Sequence, residues 1–139
     1  MRIVLDTNQL VRALMRPPQL ATFMMSWEGR RFTVVCSRPL LDEYAFVLER
    51  PEIAELIYPE LRRIFLERLR YDLAMVDIPK NLPAICRDPS DDKLIATALY
   101  GEVDYLVTAD ADLRTEAVSQ VLLRQNIIVI SMDELIARL

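Results

Sequence analysis

The sequence predicts an α/β protein of three layers, an α/β/α arrangement with a central, mostly parallel sheet of about five strands. Two observations carry the prediction. Strand-like and helix-like segments alternate along the whole chain. The strand-like segments are continuous apolar runs, such as Ile3-Val4-Leu5, and not the apolar–polar alternation of a sheet with one wet face. A parallel sheet covered by helices on both sides reads that way. A length of 139 residues is enough for one domain with a real core, and no linker, repeat or low-complexity tract divides it. Residues 1–139 are therefore expected to form a single domain.

Taken in order, residues 2–6 read as a short buried strand and 8–15 as a helix. Pro17-Pro18 breaks the pattern, and a second helix resumes over 19–28, ending near Gly29. Phe32–Cys36 is β-branched and apolar, the second strand. Ser37 is placed to cap a helix over Arg38–Glu49, with Pro39 in its first turn. Pro51 and Pro59 punctuate short helices, and 60–73 is a long amphipathic one. Ala74–Ile78 is a weaker third strand, and Lys80–Arg87, with Asn81 and Pro83, reads as a loop. A strong helix then begins at Asp88, its N-cap, with Pro89 in the next position. Asp104–Thr108 is the fourth strand, a helix follows Asp110 to about Gln125, Ile127–Ile130 is the fifth strand, and Met132–Leu139 is a last helix.

Composition narrows the chemistry. With 53% hydrophobic and 27% charged residues the chain reads as globular. It has no apolar run of membrane-spanning length and no signal peptide, so a cytoplasmic protein is expected. Cys36 and Cys86 form no metal or redox motif and read as two reduced thiols. The net charge of −4 argues against a general nucleic-acid coat, although all but two of the 17 basic residues are Arg, which suits phosphate. The chain has no His. That excludes Ser-His-Asp triads, Cys-His pairs and His-pair ribonuclease chemistry, and it leaves zinc without its commonest nitrogen ligand. What remains in quantity is carboxylate, 21 Asp and Glu.

Folds of this class bind ligands beyond the carboxyl ends of their strands. Four segments bring acids there. Asp6 ends the first strand, Glu43 lies in the helix after the second, Asp88, Asp91 and Asp92 open the helix before the fourth, and Asp110 follows the fourth. Glu43 stands three residues after Leu40 and four before Val47, beside the apolar stripe of its helix. Asp91 precedes Leu94, Ile95 and Ala98 on a buried face. Each acid alone has an ordinary alternative. Asp6 and Asp110 can be N-caps, Asp112 a first-turn acid and Thr108 a capping hydroxyl. Asn8 can bond local backbone, and Glu43 can pair with an Arg. Asp91 can close a capping box with Asp88, and Asp92 can share that role. Taken together, a cluster of like charges destabilises itself unless a cation neutralises it. Several carboxylates with water match Mg²⁺ or Mn²⁺ and suit metal-assisted phosphodiester hydrolysis.

Four stretches carry a family likeness: DTNQLVRAL at 6–14, SRPLLDEYAFVLERP at 37–51, DPSDDKLIATAL at 88–99 and VTADADL at 107–113. In these the chain resembles the PIN-domain family of metal-dependent ribonucleases, and most of all the bacterial and archaeal branch that serves as toxins in toxin–antitoxin pairs. The resemblance implies an acidic quartet of Asp6, Glu43, Asp91 and Asp110 that binds Mg²⁺ or Mn²⁺ and catalyses cleavage of single-stranded RNA. It implies Asn8 and Thr108 as polar supports, with Asp92 a competitor of Asp91 and Asp112 an auxiliary ligand. Ala109 stands where the family often has Gly, so the turn before Asp110 is expected to differ.

The resemblance also implies a homodimer and a small antitoxin protein laid over the acidic groove. Residues 19–28, with Met24, Met25 and Trp27, are either a surface for such contacts or ordinary core. Arg12, Arg16, Arg38 and Arg114 are the cations expected nearest the RNA, against the alternative of solvated surface charge. Two other Asp-dependent folds fit less well. A haloacid-dehalogenase-type phosphatase needs an Asp where Asn8 stands, and a receiver domain needs a Lys after the fifth strand, which IIVISMDE at 127–134 lacks. A non-catalytic PIN-like module that binds RNA or protein is the remaining rival.

Overall fold

The structure, a computed structural model, describes residues 1–81, 86 and 88–139. Most of the loop expected over 80–87 lies outside the described residues. Five strands form one sheet: β1 (Arg2–Leu5), β2 (Thr33–Cys36), β3 (Ala74–Met75), β4 (Tyr105–Val107) and β5 (Ile128–Ile130). All pairings are parallel, in the order β3-β2-β1-β4-β5. Between them run α1 (Thr7–Leu14), α2 (Pro17–Glu28), α3 (Arg38–Glu49), α4 (Pro51–Ala54), α5 (Pro59–Tyr71), α6 (Asp92–Tyr100) and α7 (Glu116–Leu123), with α8 (Met132–Ala137) last. This is the three-layer α/β/α fold expected.

Continuous apolar strands become strands buried on both faces. Ile3, Val4, Leu5, Val34, Val35, Cys36, Leu106 and Val107 have no exposed surface at all. The edge strands are wetter: Met75 on β3 and Ile128 on β5 are about half exposed. Beneath the sheet Phe23, Trp27, Phe32 and Phe65 interlock, with Trp27 and Phe65 edge-to-face at 6.0 Å between α2 and α5. Trp27 is thus core. Of the suggested contact surface at 19–28, Met25 is exposed and Met24 half-buried.

Several elements differ from expectation for local reasons. Pro17-Pro18 does not delay α2 but opens it, since a first-turn proline lacks only an N–H the helix does not need. Ser37 precedes α3 without capping it, because its hydroxyl is taken by Thr97 Oγ1 at 2.7 Å. The third strand ends at Met75, not Ile78. The helix expected from Asp110 to Gln125 is interrupted. Asp110 caps a 3-10 turn over Ala111–Arg114, and Thr115 then caps α7 by accepting the Val118 N–H. No helix among the described residues is long and apolar enough to cross a membrane.

In this order the chain leaves β1 toward β2 on one side, and later places β4 on the other side of β1. Ligands bind such sheets at the carboxyl ends of the strands where the order reverses. Here β1 and β4 pair through Leu5 and Val107, so the next residues, Asp6 and Thr108, meet at that point.

Candidate functional site

Asp6 follows β1, its N–H held by the Val107 carbonyl at 2.9 Å. It stands at the N-cap position of α1, yet its side chain makes no capping hydrogen bond. Instead Oδ2 accepts from the buried Thr108 hydroxyl at 2.7 Å. That hydroxyl also accepts the Asp110 N–H at 3.0 Å, so Thr108 ties the ends of β1 and β4 together. Asp110 does serve as an N-cap: its Oδ1 accepts the Asp112 N–H at 2.9 Å. The rest of its half-buried carboxyl is presented to the same pocket as Asp6. Asp112 contributes its amide to that turn and does not line the pocket.

The capping box suggested for Asp88 and Asp91 does not form. Asp88 caps the Ser90 N–H at 3.0 Å, and the Asp91 side chain makes no cap bond. Asp91 opens into the pocket with Asp6, while Asp92 is buried and its Oδ1 accepts the Cys86 N–H at 2.8 Å. The two neighbouring acids, interchangeable by sequence, therefore stand in different surroundings. Asp92, expected as an auxiliary ligand, is placed in the fold's interior.

Glu43 arrives from α3. The face carrying Leu40, Tyr44 and Leu48 is fully buried, and the Tyr44 hydroxyl donates to the Leu5 carbonyl, which anchors the helix beside the end of β1. Glu43, half-buried, accepts from the Thr7 hydroxyl and pairs with Lys93 Nζ of α6 at 2.8 Å. Its salt-bridge partner is thus one of the two Lys and not an Arg. Asp6, Glu43, Asp91 and Asp110 line one open pocket of about 560 Å³, together with Thr7, Asn8, Phe46, Arg50 and Lys93.

Crowding shows in two of these groups, Asp6 and Asp91. Burial pushes the Asp6 carboxyl above its ordinary range, and the charges of Asp110 and Glu43 add to that. The Thr108 hydrogen bond opposes it, as does the nearby Asn8 amide, which falls short of capping geometry. Asp91 is pushed up to about 6, first by burial and then by the charges of Asp6, Asp88, Asp110 and Glu43. The thiols of Cys36 and Cys86 are pushed up to about 12, mainly by burial, and stay protonated and inert.

Of the four Arg expected near the site, three make other contacts. Arg16, Arg38 and Arg114 pair with Asp133, Asp42 and Glu134, Arg12 is exposed, and none of the four lines the pocket. Among the described residues the cations that line the pocket are Arg50 and Lys93. Arg50 follows Glu43 by seven residues, two helical turns, a spacing that could have pointed to it. Lys93 needs the packing of α6 against α3, which no local pattern reveals.

A family model described as PIN domain matches residues 2–112, four-fifths of the chain, and spans all four acids. The chain belongs to the PIN-domain family. No curated protein and no solved structure matches it. PIN domains are typically nucleases, and PIN-domain nucleases generally use divalent metals.

The residues present fit such an ion by chemistry. The donors are oxygens, and burial with mutual repulsion raises the Asp6 and Asp91 carboxyls above their ordinary range, a penalty on their charged forms that a cation relieves. Among the described residues no three acids stand close enough to clasp one ion as they are placed. Mg²⁺ does not require that, since it binds through one or two carboxylates and keeps several waters.

Proposed function

We propose that this PIN domain is a Mg²⁺- or Mn²⁺-dependent endoribonuclease that hydrolyses phosphodiester bonds in single-stranded RNA. The observation that carries the reading is the convergence of Asp6, Glu43, Asp91 and Asp110, from four separate segments, on one pocket at the reversal point of a parallel sheet. These four would hold the ion and are the proposed catalytic acids, with Asn8 and Thr108 in support. When bound, the ion supplies Lewis-acid activation of water and neutralises charge on the phosphate.

The chain's own part follows from its contacts. Thr108 holds Asp6 Oδ2 in place and fixes the turn that presents Asp110. Thr7 and Lys93 fix the Glu43 carboxylate from two sides. Lys93 and Arg50 bring positive charge to a pocket otherwise hostile to phosphate. Asp92 acts in our reading by holding the Cys86 amide near the site, and the Asp112 backbone N–H steadies the Asp110 carboxylate by donating to it.

The family resemblance supports a finer placement: the toxin of a toxin–antitoxin pair, a homodimer restrained by a small antitoxin protein, working in the cytoplasm. Growth arrest on expression of the wild type but not of Asp6→Asn supports the toxin role, and equal growth removes it. The nuclease itself is tested by incubating purified protein with a pool of single-stranded RNAs in Mn²⁺, Mg²⁺ or EDTA. Cutting in the first two and not the third is expected. The Glu43–Lys93 ion pair, which already neutralises one acid, favours a second reading, a non-catalytic RNA-binding module. Equal RNA binding with and without Mg²⁺, and no cutting, selects that reading.

A further inference from the structure

We propose that Phe46 and Arg50 form a nucleotide subsite beside the acids, Phe46 stacking on a base of the single-stranded substrate and Arg50 meeting the adjoining phosphate. The proposal rests on the RNA reading above and names the group that binds next to the acids. Glu43, Phe46, Val47 and Arg50 follow one another at offsets of three, four and seven on α3, so they share a face, and all four line the acidic pocket. Arg50, the first residue past the helix, lies about 10 Å along the axis from Glu43, and Phe46 lies about 4.5 Å from it.

The chemistry of that row departs from that of an ordinary helix surface. Phe46 is 65% exposed while its neighbours Tyr44 and Leu48 are fully buried, so the ring contributes little to the core. The Arg50 guanidinium lies 5.0 Å from the centre of the Phe46 ring, a cation–π contact that holds the aromatic face and the charge together. Arg50 makes no ion pair among the described residues, although Arg38, Arg63, Arg68 and Arg114 all do.

An acid that can hold a phosphate through an ion, then a flat apolar ring, then an unpaired guanidinium reproduce the order phosphate, base, phosphate along a nucleic-acid strand. Single-stranded RNA offers unstacked bases to such a ring, whereas a duplex hides them. Stacking on an aromatic ring tolerates any base, so the subsite sets strandedness and register more than sequence.

The test uses Phe46→Ala, Phe46→Trp and Arg50→Gln in the full chain, with a short single-stranded oligoribonucleotide that the wild type cuts. Phe46 is exposed, so the variants should keep the wild-type circular dichroism spectrum. Phe46→Ala is expected to raise KM about 5- to 100-fold, the loss that one base–aromatic stack represents, with kcat changed far less. Arg50→Gln is expected to raise KM and flatten its salt dependence. Phe46→Trp should keep the wild-type KM, and its new fluorescence should be quenched on RNA binding, over the constant background of buried Trp27.

A Phe46→Ala KM within twofold of wild type, or an unquenched Phe46→Trp at saturating RNA, overturns the subsite. If the wild type cuts no RNA, the ribonuclease reading has failed separately. The fluorescence titration of Phe46→Trp with the same RNA still decides the subsite, quenching sustaining it and its absence overturning it.

Discussion

The Thr108 hydroxyl donates to Asp6 at 2.7 Å, across the pairing of β4 with β1, and in the same position accepts the Asp110 amide at 3.0 Å. One buried side chain therefore sets the relative placement of two acids 104 positions apart in sequence. Thr108→Val keeps the shape and deletes both bonds. It should destabilise the protein by about 1–3 kcal/mol in urea unfolding, because a buried carboxyl and a backbone N–H lose their partner. It should also push the Asp6 carboxyl further up, visible in an NMR titration, since the Thr108 bond is the largest influence holding it down.

The acid cluster should make stability depend on pH in an unusual direction. Asp91 titrates at about 6 in the folded protein against an ordinary 3.8, so between those values the folded state holds a proton that the unfolded state has released. Stability contributed by this group then falls as pH rises through that window, and Asp6 works in the same sense. Asp91→Asn should stabilise the metal-free protein by about 1 kcal/mol at pH 7, the full shift being reduced by solvent screening, and by nothing at pH 3. Thermal unfolding in EDTA at the two pH values measures it.

Lys93 is the counter-ion of Glu43 in the metal-free protein, at 2.8 Å. Lys93→Gln leaves Glu43 facing the other acids. It should cost about 0.5–1 kcal/mol of stability in EDTA, the modest value of a partly exposed pair. Saturating Mn²⁺ should shrink that loss, because the added cation takes over the neutralisation. Melting curves of both proteins with and without Mn²⁺ read the difference directly.

Asp91 and Asp92 can be separated by experiment as the structure separates them in space. Asp92→Ala removes the acceptor of the Cys86 N–H and should cost about 1–3 kcal/mol of stability, with kcat per folded molecule preserved. Asp91→Asn should do the reverse, leaving the fold intact and abolishing cleavage. Activity normalised to the folded fraction distinguishes them.

Much of this arrangement is readable in one dimension because its signals are local. Ile3-Val4-Leu5 and Val34-Val35-Cys36 announce strands covered on both faces, and both are fully buried. The offsets of Glu43 to Leu40 and Val47 place it beside the apolar stripe of its helix, and it is half-buried there. What escaped depends on partners far away in the chain. Ser37 looks like a cap until Thr97 of α6 takes its hydroxyl. Lys93 looks like surface charge until α6 lies against α3 and brings it to Glu43. Asp91 and Asp92 are alike in sequence, and the second is buried with the distant Cys86 amide as one of its partners. The continuous helix expected after Asp110 failed because two cap residues, Asp110 and Thr115, each satisfy a separate start.

The most direct test of the central claim compares wild type with Asp6→Asn on single-stranded RNA in Mn²⁺, with EDTA as control. The account predicts cutting by the wild type that EDTA abolishes, and a loss of at least about 100-fold in rate for Asp6→Asn, the order expected when one preorganised charge at a reacting centre is removed. Equal cutting by the two folded proteins, or cutting undiminished by EDTA, would contradict it.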